Sequence, residues 1–395
     1  MKDICSHNSC TGCKVCLNVC THNAISFSEN HYGFWYPVID ESLCIDCGLC
    51  KKACPNNIPP VLHAPLKAVI GHAIDKEEQK SSTSGGVASA LCRYILRAGG
   101  VVYGCTSAHY PLVHHIRVES ENGLELLKGS KYVQSDVEDV FGLIRQDLQE
   151  RKVVFVGTPC YCAGLKKYIH KDSENLVLID FVCHGVPSQK ILKDAVEEVS
   201  SGEQIQTVQF RKKTQCGESK YGLFLGGENG RSIYQNTYPK DDYIITFLSG
   251  MFYRPSCYEC KYAQVKRCSD ITLGDYWDRE KKTSFQNRQY GLSMIMVNTK
   301  KGKWLLDECS SKIISVLADV DNFVARNGQL HHSMPKHEFY ESFHRDYLNH
   351  GWKYVCEKYV KLEKRRVRKA LLVLKIRDLI YTIPGMRSLY SIVFK

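Results

Sequence analysis

The chain has 395 residues, room for two or three domains of roughly 100–200 residues each, and its 44% apolar content is that of an ordinary globular protein. The formal charge of +11 sits mostly in residues 353–395, with 12 Lys and Arg against three Asp and Glu, so the rest is nearly neutral and no nucleic-acid partner is expected. No run reaches the ~18 apolar residues of a membrane span, and the N-terminus lacks the apolar core of a secretory signal.

The 20 cysteines fall in short Cys-x-x-Cys runs, which together with the missing signal predicts metal sites in a reducing cytoplasm. The first run is Cys10, Cys13, Cys16 and Cys20; the second is Cys44, Cys47, Cys50 and Cys54, followed by Pro55. Both have the C-x-x-C-x-x-C-x-x-x-C spacing of bacterial ferredoxins, although Thr21 replaces the proline after the first. Such a loop turns three sulfurs toward three corners of one cubane, and the fourth thiolate reaches the other cluster. One 4Fe–4S cluster is therefore expected on Cys10, Cys13, Cys16 and Cys54, and another on Cys44, Cys47, Cys50 and Cys20. Zinc also takes Cys-x-x-Cys pairs, but a third cysteine two residues on, repeated twice, has no use in a zinc site. Each ligated cluster adds a charge of about −2, which lowers the net charge further. Cys5 lies outside both runs and reads as a free thiol.

Pro55, Pro59, Pro60 and Pro65 punctuate a stiff linker. Beyond it, apolar runs at 67–74, 100–108, 152–160 and 175–183 read as strands, and the stretches 85–98, 138–150 and 188–200 as helices between them. This alternation predicts an α/β core with a largely parallel sheet. Further strands are expected at 207–213, 222–226 and 231–235, and a helix from Trp304 to Leu317.

Within this body, Ser84-Gly85-Gly86 opens a helix after a strand, where backbone N–H groups and the helix dipole favour an anion, although from the residues alone an ordinary N-cap with a glycine turn is the better reading. Gly157-Thr158-Pro159-Cys160 is a strand-to-helix turn, the usual ligand position in such sheets. Cys257, Cys260 and Cys268 supply three thiolates, one short of a closed site. Cys183 is the expected fourth, with Cys160 and Cys162 as alternatives, and the metal is a third 4Fe–4S cluster or a zinc. His184 reads as a hydrogen-bonding neighbour, and Cys92, Cys105, Cys309 and Cys356 as buried structural thiols.

The tail carries eight basic residues between Lys361 and Arg377, with Val367, Leu371, Leu374 and Ile380 at near-helical spacing. A helix of this kind either lies on an anionic membrane surface, at the inner face in a cytoplasmic protein, or packs its apolar strip on the domain.

Six ordered motifs resemble the coenzyme F(420) hydrogenase/dehydrogenase beta-subunit family: SSTSGGVASAL, KGSKYVQSD, VVFVGTPCYCAGLKKYI, DFVCHGVPS, YRPSCYECKYA and SDITLGDYW. The resemblance covers roughly residues 67–280. It implies a flavin, FAD, beside iron–sulfur clusters, with electrons passing between a two-electron partner and one-electron carriers. Ser84, Gly85 and Gly86 then hold flavin phosphate, Lys131 and Tyr132 contact phosphate and ring, and Thr158, Pro159 and Cys160 lie near the flavin. The third cluster is favoured over zinc on the same ground. Some members of the family sit beside polysaccharide-assembly genes.

The expected architecture is α/β (α+β): a ferredoxin-like two-cluster domain over 1–58, a larger mixed α/β flavin-binding domain over 67–345, and a basic amphipathic tail over 353–395. The expected activity is a flavin-dependent iron–sulfur oxidoreductase working with a redox partner protein or a small-molecule donor or acceptor. The alternative is an electron-relay subunit with no substrate of its own.

Overall fold

A computed structural model describes residues 3–277, 285 and 288–382. In the cysteine-dense N-terminal segment, short helices at Val15–Asn18 and Leu49–Ala53 follow the two metal-type loops. Between them β1 (Ile25–Glu29) and β2 (Trp35–Ile39) pair as an antiparallel hairpin, with Ile25 opposite Ile39. The hairpin leaves little mark in the sequence, because its strands are short and alternate imperfectly.

The body is built on a mixed sheet. Its strands are β3 (Lys67–Ala73), β4 (Val101–His109), β5 (Leu112–Val118), β6 (Val153–Gly157) and β7 (Leu176–Phe181). After the small antiparallel sheet of β8 (Thr207–Lys213), β9 (Ser219–Gly226) and β10 (Ser232–Thr237), the chain returns. It completes the large sheet with β11 (Ile271–Tyr276), β12 (Leu292–Val297) and β13 (Ile313–Ala318). The order across it is β13-β3-β12-β11-β7-β6-β4-β5.

β4, β6, β7 and β11 are parallel, and β12 is antiparallel to both β11 and β3. The carboxyl ends of β3, β11, β7, β6 and β4 therefore share one edge. Central strands covered on both faces read as unbroken apolar runs, and every residue of β12 is buried. Helices at Val87–Arg97, Pro159–Ile169 and Gln189–Ser200 follow strands as the sequence predicts.

The predicted helix from Trp304 to Leu317 is corrected. A helix spans Lys300–Glu308, and the next apolar run is β13, antiparallel to β3. Its β-branched Ile313, Ile314 and Val316 suit a pleated edge better than a helical turn. The proline-rich stretch is docked on the body: His63 bridges to Arg267, Leu66 donates its N–H to the Val297 carbonyl, and Leu62 packs into a core.

The N-terminal segment is packed against the body. Phe34 and Tyr36 share a core with Phe252, Phe343 and Trp352. The boundary between 345 and 353 falls inside a helix, Tyr340–Val355, that breaks at Gly351. The following residues stay with the body, since Tyr359 and Val360 are buried and Val367 packs on the same core. In the long helix Lys361–Thr382, Leu372, Val373, Leu374 and Ile376 are exposed; Ile380 lies outside the described side chains. No helix among the described residues is long and apolar enough to cross a membrane.

Candidate functional site

The loops of the first 58 residues bring the cysteines into two groups. The Cys16 thiol is pushed up first by burial and then by Cys13, Cys10 and Cys54, so these four sulfurs face a common space. Cys54 has left its own run to join the first. Cys20 has crossed the other way: Cys20, Cys44, Cys47 and Cys50 line one cavity with Ile25, Ile39 and Ile45. Cys47 is exposed, so the second group opens to solvent, whereas Cys10, Cys13, Cys16 and Cys54 are buried. Cys5 stands against Cys10 and Cys54, a neighbour that spacing did not reveal.

A third group forms at the carboxyl edge of the sheet. Cys160 is the second residue of the helix after β6, Cys183 follows β7, Cys257 lies in the short helix Pro255–Tyr258, and Cys260 comes just after it. Burial raises the Cys160 thiol, and Cys183, Cys260 and Cys257 raise it further, so these four thiols are neighbours. Cys268, the other expected ligand, lies close by, since it and Cys160 both act on Cys162 and on Tyr262. The Cys268 sulfur is buried 3.8 Å from the Pro159 carbonyl, on the side of Cys162. Cys162 points into the sheet, toward the Gly157 and Ile179 carbonyls.

Among the described residues, no three His, Cys, Asp or Glu side chains converge as a single-ion site requires. Zinc draws its sulfurs in to about 2.3 Å from one centre. A cubane binds its thiolates at separate corners and so tolerates a wider spacing of sulfurs than a single ion does.

Beside the third group lies an aromatic and cationic layer. The Tyr132 ring stacks on Phe247 at 4.4 Å, and Phe247 is 6.5 Å from His184, next to Cys183. Arg211 of β8 lies over the Tyr221 ring and pairs with Asp275 of β11 at 2.7 Å.

Gly85 sits one strand over. A Cβ there would approach the Gly71 carbonyl to 2.8 Å and the Ser293 nitrogen to 2.9 Å, so the glycine is required for close packing on the sheet. Ser84 Oγ donates to the Leu292 carbonyl at 2.8 Å, and the Gly85 N–H donates to Ser293 Oγ at 3.2 Å. Gly86, at φ +80, starts the helix.

Lys213 stands at this turn and Lys131 on the adjacent loop, whose Ser130 Oγ lies 3.4 Å from Thr83 Oγ1; among the described residues neither ammonium has a carboxylate partner. Lys131 Nζ donates to the Leu127 and Lys128 carbonyls, both at 2.8 Å. Lys213 Nζ donates to the Ser84 carbonyl at 2.8 Å, and also to those of Gln79 and Tyr290. Burial pushes both ammonium groups down to about 8. Cations held only by carbonyls suit an anionic group such as a phosphate. Lys213 and Asp275 were not singled out from sequence; Asp275 lies in the GDYW motif, but Lys213 ends an unremarkable strand. Thr158 lies apart from the turn, its Oγ1 3.2 Å from Cys160 Sγ.

A ferredoxin-type module docked on an α/β body with a further cysteine group defines an iron–sulfur electron-transfer protein of the oxidoreductase type. Residues 9–58 match the family model of the 4Fe-4S dicluster domain, and residues 150–322 match that of the C-terminal part of the coenzyme F420 hydrogenase/dehydrogenase beta subunit. The chain thus joins a dicluster domain to a body of the beta-subunit type. A solved structure of the xenon-derivatised F420-reducing [NiFe] hydrogenase complex from Methanosarcina barkeri is similar with a TM-score of 0.48 and 17% identity. That likeness covers 69% of this chain and 90% of the other. No curated protein matches the chain significantly in sequence.

Proposed function

We propose that the protein is a flavin-dependent iron–sulfur oxidoreductase, exchanging electrons between a two-electron donor or acceptor and 4Fe–4S clusters or a ferredoxin. The observation that carries this reading is the proximity of the Cys160, Cys183, Cys257 and Cys260 group to two carboxylate-free lysines, Lys213 at the Ser84–Gly86 turn and Lys131 on the loop beside it. In this reading Lys131, Lys213 and the turn hold flavin phosphate, Tyr132 and the Arg211–Asp275 pair border the ring, and the four cysteines hold a third cluster. Cys10, Cys13, Cys16 and Cys54 hold an inner cluster, and Cys44, Cys47, Cys50 and Cys20 an outer one.

Bound there, a flavin supplies the exchange between a hydride and one-electron carriers. A hydride donor yields two electrons and a proton per turnover; the electrons leave singly to one-electron acceptors and the proton goes to water. The chain's own part is to place the sites in sequence and to exclude water between them. Tyr132, Phe247 and His184 fill the gap between the lysines and Cys183, and the helix from Cys160 packs on the Cys13 loop. Anaerobic purification with iron, sulfide and flavin analysis tests the reading. About twelve irons and one FAD are expected per chain, and a flavin-free protein with about eight irons would overturn it.

A second reading, a relay subunit without its own substrate, draws support from the outer end. Leu43, Ile45 and Leu49 are exposed around the solvent-facing Cys47 group, as a partner redox protein would require. A relay is inert toward small donors until that partner is added. The exposed apolar residues of the last described turns, beside basic side chains, support peripheral contact with an anionic membrane surface.

A further inference from the structure

Arg254 is almost fully buried, at 1% exposure, and among the described residues no carboxylate lies within ion-pair distance of it. Its guanidinium crosses from the body into the N-terminal module. Nε donates to the Cys10 carbonyl at 2.6 Å, Nη1 to Gln134 Oε1 at 3.1 Å, and Nη2 to the Trp35 carbonyl at 2.9 Å. Nη2 also donates to Cys10 Sγ at 3.5 Å. The planar cation lies over the Tyr36 ring at 4.3 Å.

The module is shaped to admit it. Gly12, at φ +68, lies between the first two cysteines, and a Cβ there would stand 3.0 Å from Arg254 Nη1 and 2.6 Å from Gln134 Nε2. Arg254 also belongs to the segment that carries the third group, since the Cys257 N–H donates to the Arg254 carbonyl at 2.9 Å.

A guanidinium taken out of water is strongly disfavoured unless an opposite charge meets it. Carbonyls and ring faces satisfy its N–H groups but carry no charge. The nearest site able to supply negative charge is the thiolate group of Cys10, Cys13, Cys16 and Cys54.

We propose that Arg254 is the built-in counter-charge of the inner cluster and holds its reduction potential up, as a positioning residue that donates a hydrogen bond to the Cys10 sulfur. One electron added to that cluster raises its negative charge by one. A fixed cation in a low-dielectric setting therefore stabilises the reduced form more than the oxidised one. Net charge and hydrogen bonds to sulfur are the terms by which a protein sets such potentials. The proposal rests on the reading of Cys10 as a ligand of that cluster.

The test is an EPR-monitored redox titration of the anaerobically purified full chain, the inner-cluster signal being the one lost in Cys10→Ala. In Arg254→Gln that signal should move to lower potential by at least a tenfold change in its reduced-to-oxidised ratio, or 59 mV for one electron. The outer-cluster signal should stay in place, and any shift at the Cys257 group, which also feels the Arg254 charge, should be smaller. Arg254→Lys, keeping the charge without the fork, should shift less in the same direction.

A purely structural arginine would alter thermal stability and leave the midpoint alone, and an unchanged midpoint in loaded Arg254→Gln overturns the proposal. Should neither variant retain clusters, pulsed EPR on the parent protein labelled with 15N-arginine decides. A 15N coupling on the inner-cluster signal supports the contact, and its absence removes it. Failure of the underlying reading shows separately, as a Cys10→Ala protein that keeps every signal.

Discussion

Gly164 and Cys13 are in contact across the two modules: a Cβ placed on Gly164 would stand 3.1 Å from both Cβ and Sγ of Cys13. Gly164 lies on the helix that begins with Pro159 and Cys160, so the first metal loop and the third cysteine group share that helix. Replacing Gly164 with Val should push the modules apart at a cost of about 1–3 kcal/mol. The expected outcome is full iron content, faster proteolysis in the 59–66 stretch, and slower electron transfer to the N-terminal clusters in stopped-flow reduction. Unaltered transfer and protease resistance would show that the contact is dispensable.

Cys160→Ala and Cys268→Ala separate the two ways of completing the third group. Iron should fall from about twelve to about eight per chain in Cys160→Ala and stay near twelve in Cys268→Ala. The reverse pattern would return Cys268 to the ligand set.

Lys213→Met and Lys131→Met should each weaken flavin retention by about ten- to a hundredfold, the scale of one charged hydrogen bond at about 1.5–3 kcal/mol. FAD released on denaturation after extensive dialysis measures this, with iron content as the internal control. A bulky residue at Gly85 is a poorer test, because it would first collide with the Gly71 carbonyl and Ser293. Full flavin occupancy in both lysine variants would move the phosphate elsewhere.

His344 makes part of the stability pH-dependent. Its ring stacks on Phe252 at 4.5 Å and meets Tyr32 and Tyr340 edge-on. Burial pushes it down to about 4, Lys336 adds to this, and the hydrogen bond to the Tyr340 carbonyl opposes it. A histidine depressed on folding stabilises the native state above its unfolded value of about 6.5, and that stability is lost as pH falls toward 4. About 1.4 kcal/mol should be gone by pH 5.5. Calorimetry at pH 7.5 and 5.5 should show a larger drop in Tm for the parent than for His344→Phe, and equal drops would remove His344 as the cause.

The tail predicts salt-sensitive binding to anionic vesicles. Val360 and Val367 belong to the core, so the informative truncation removes residues from 371 onward rather than the whole basic segment. The full chain should float with anionic liposomes at low salt and lose this at high salt, since exposed charges are screened within a Debye length. The truncated chain should sediment. If both remain at the bottom, the helix serves the fold alone.

By itself the sequence determined the identity of the N-terminal module, the α/β alternation, and the strands at 67–73, 153–157 and 176–181. Those features are local: loop spacing places three sulfurs, and strands buried on both faces need continuous apolar runs. Tertiary structure alone decided which distant residues meet. Cys160 joins Cys183, Cys257 and Cys260 because parallel strands end on a common edge, which spacing along the chain cannot reveal. The strand at 313–318 was hidden because a short apolar run fits either period until a partner, here β3, is present. Arg254 was read only as part of a motif; its burial against Cys10, 244 positions away, follows from the docking of one module on the other.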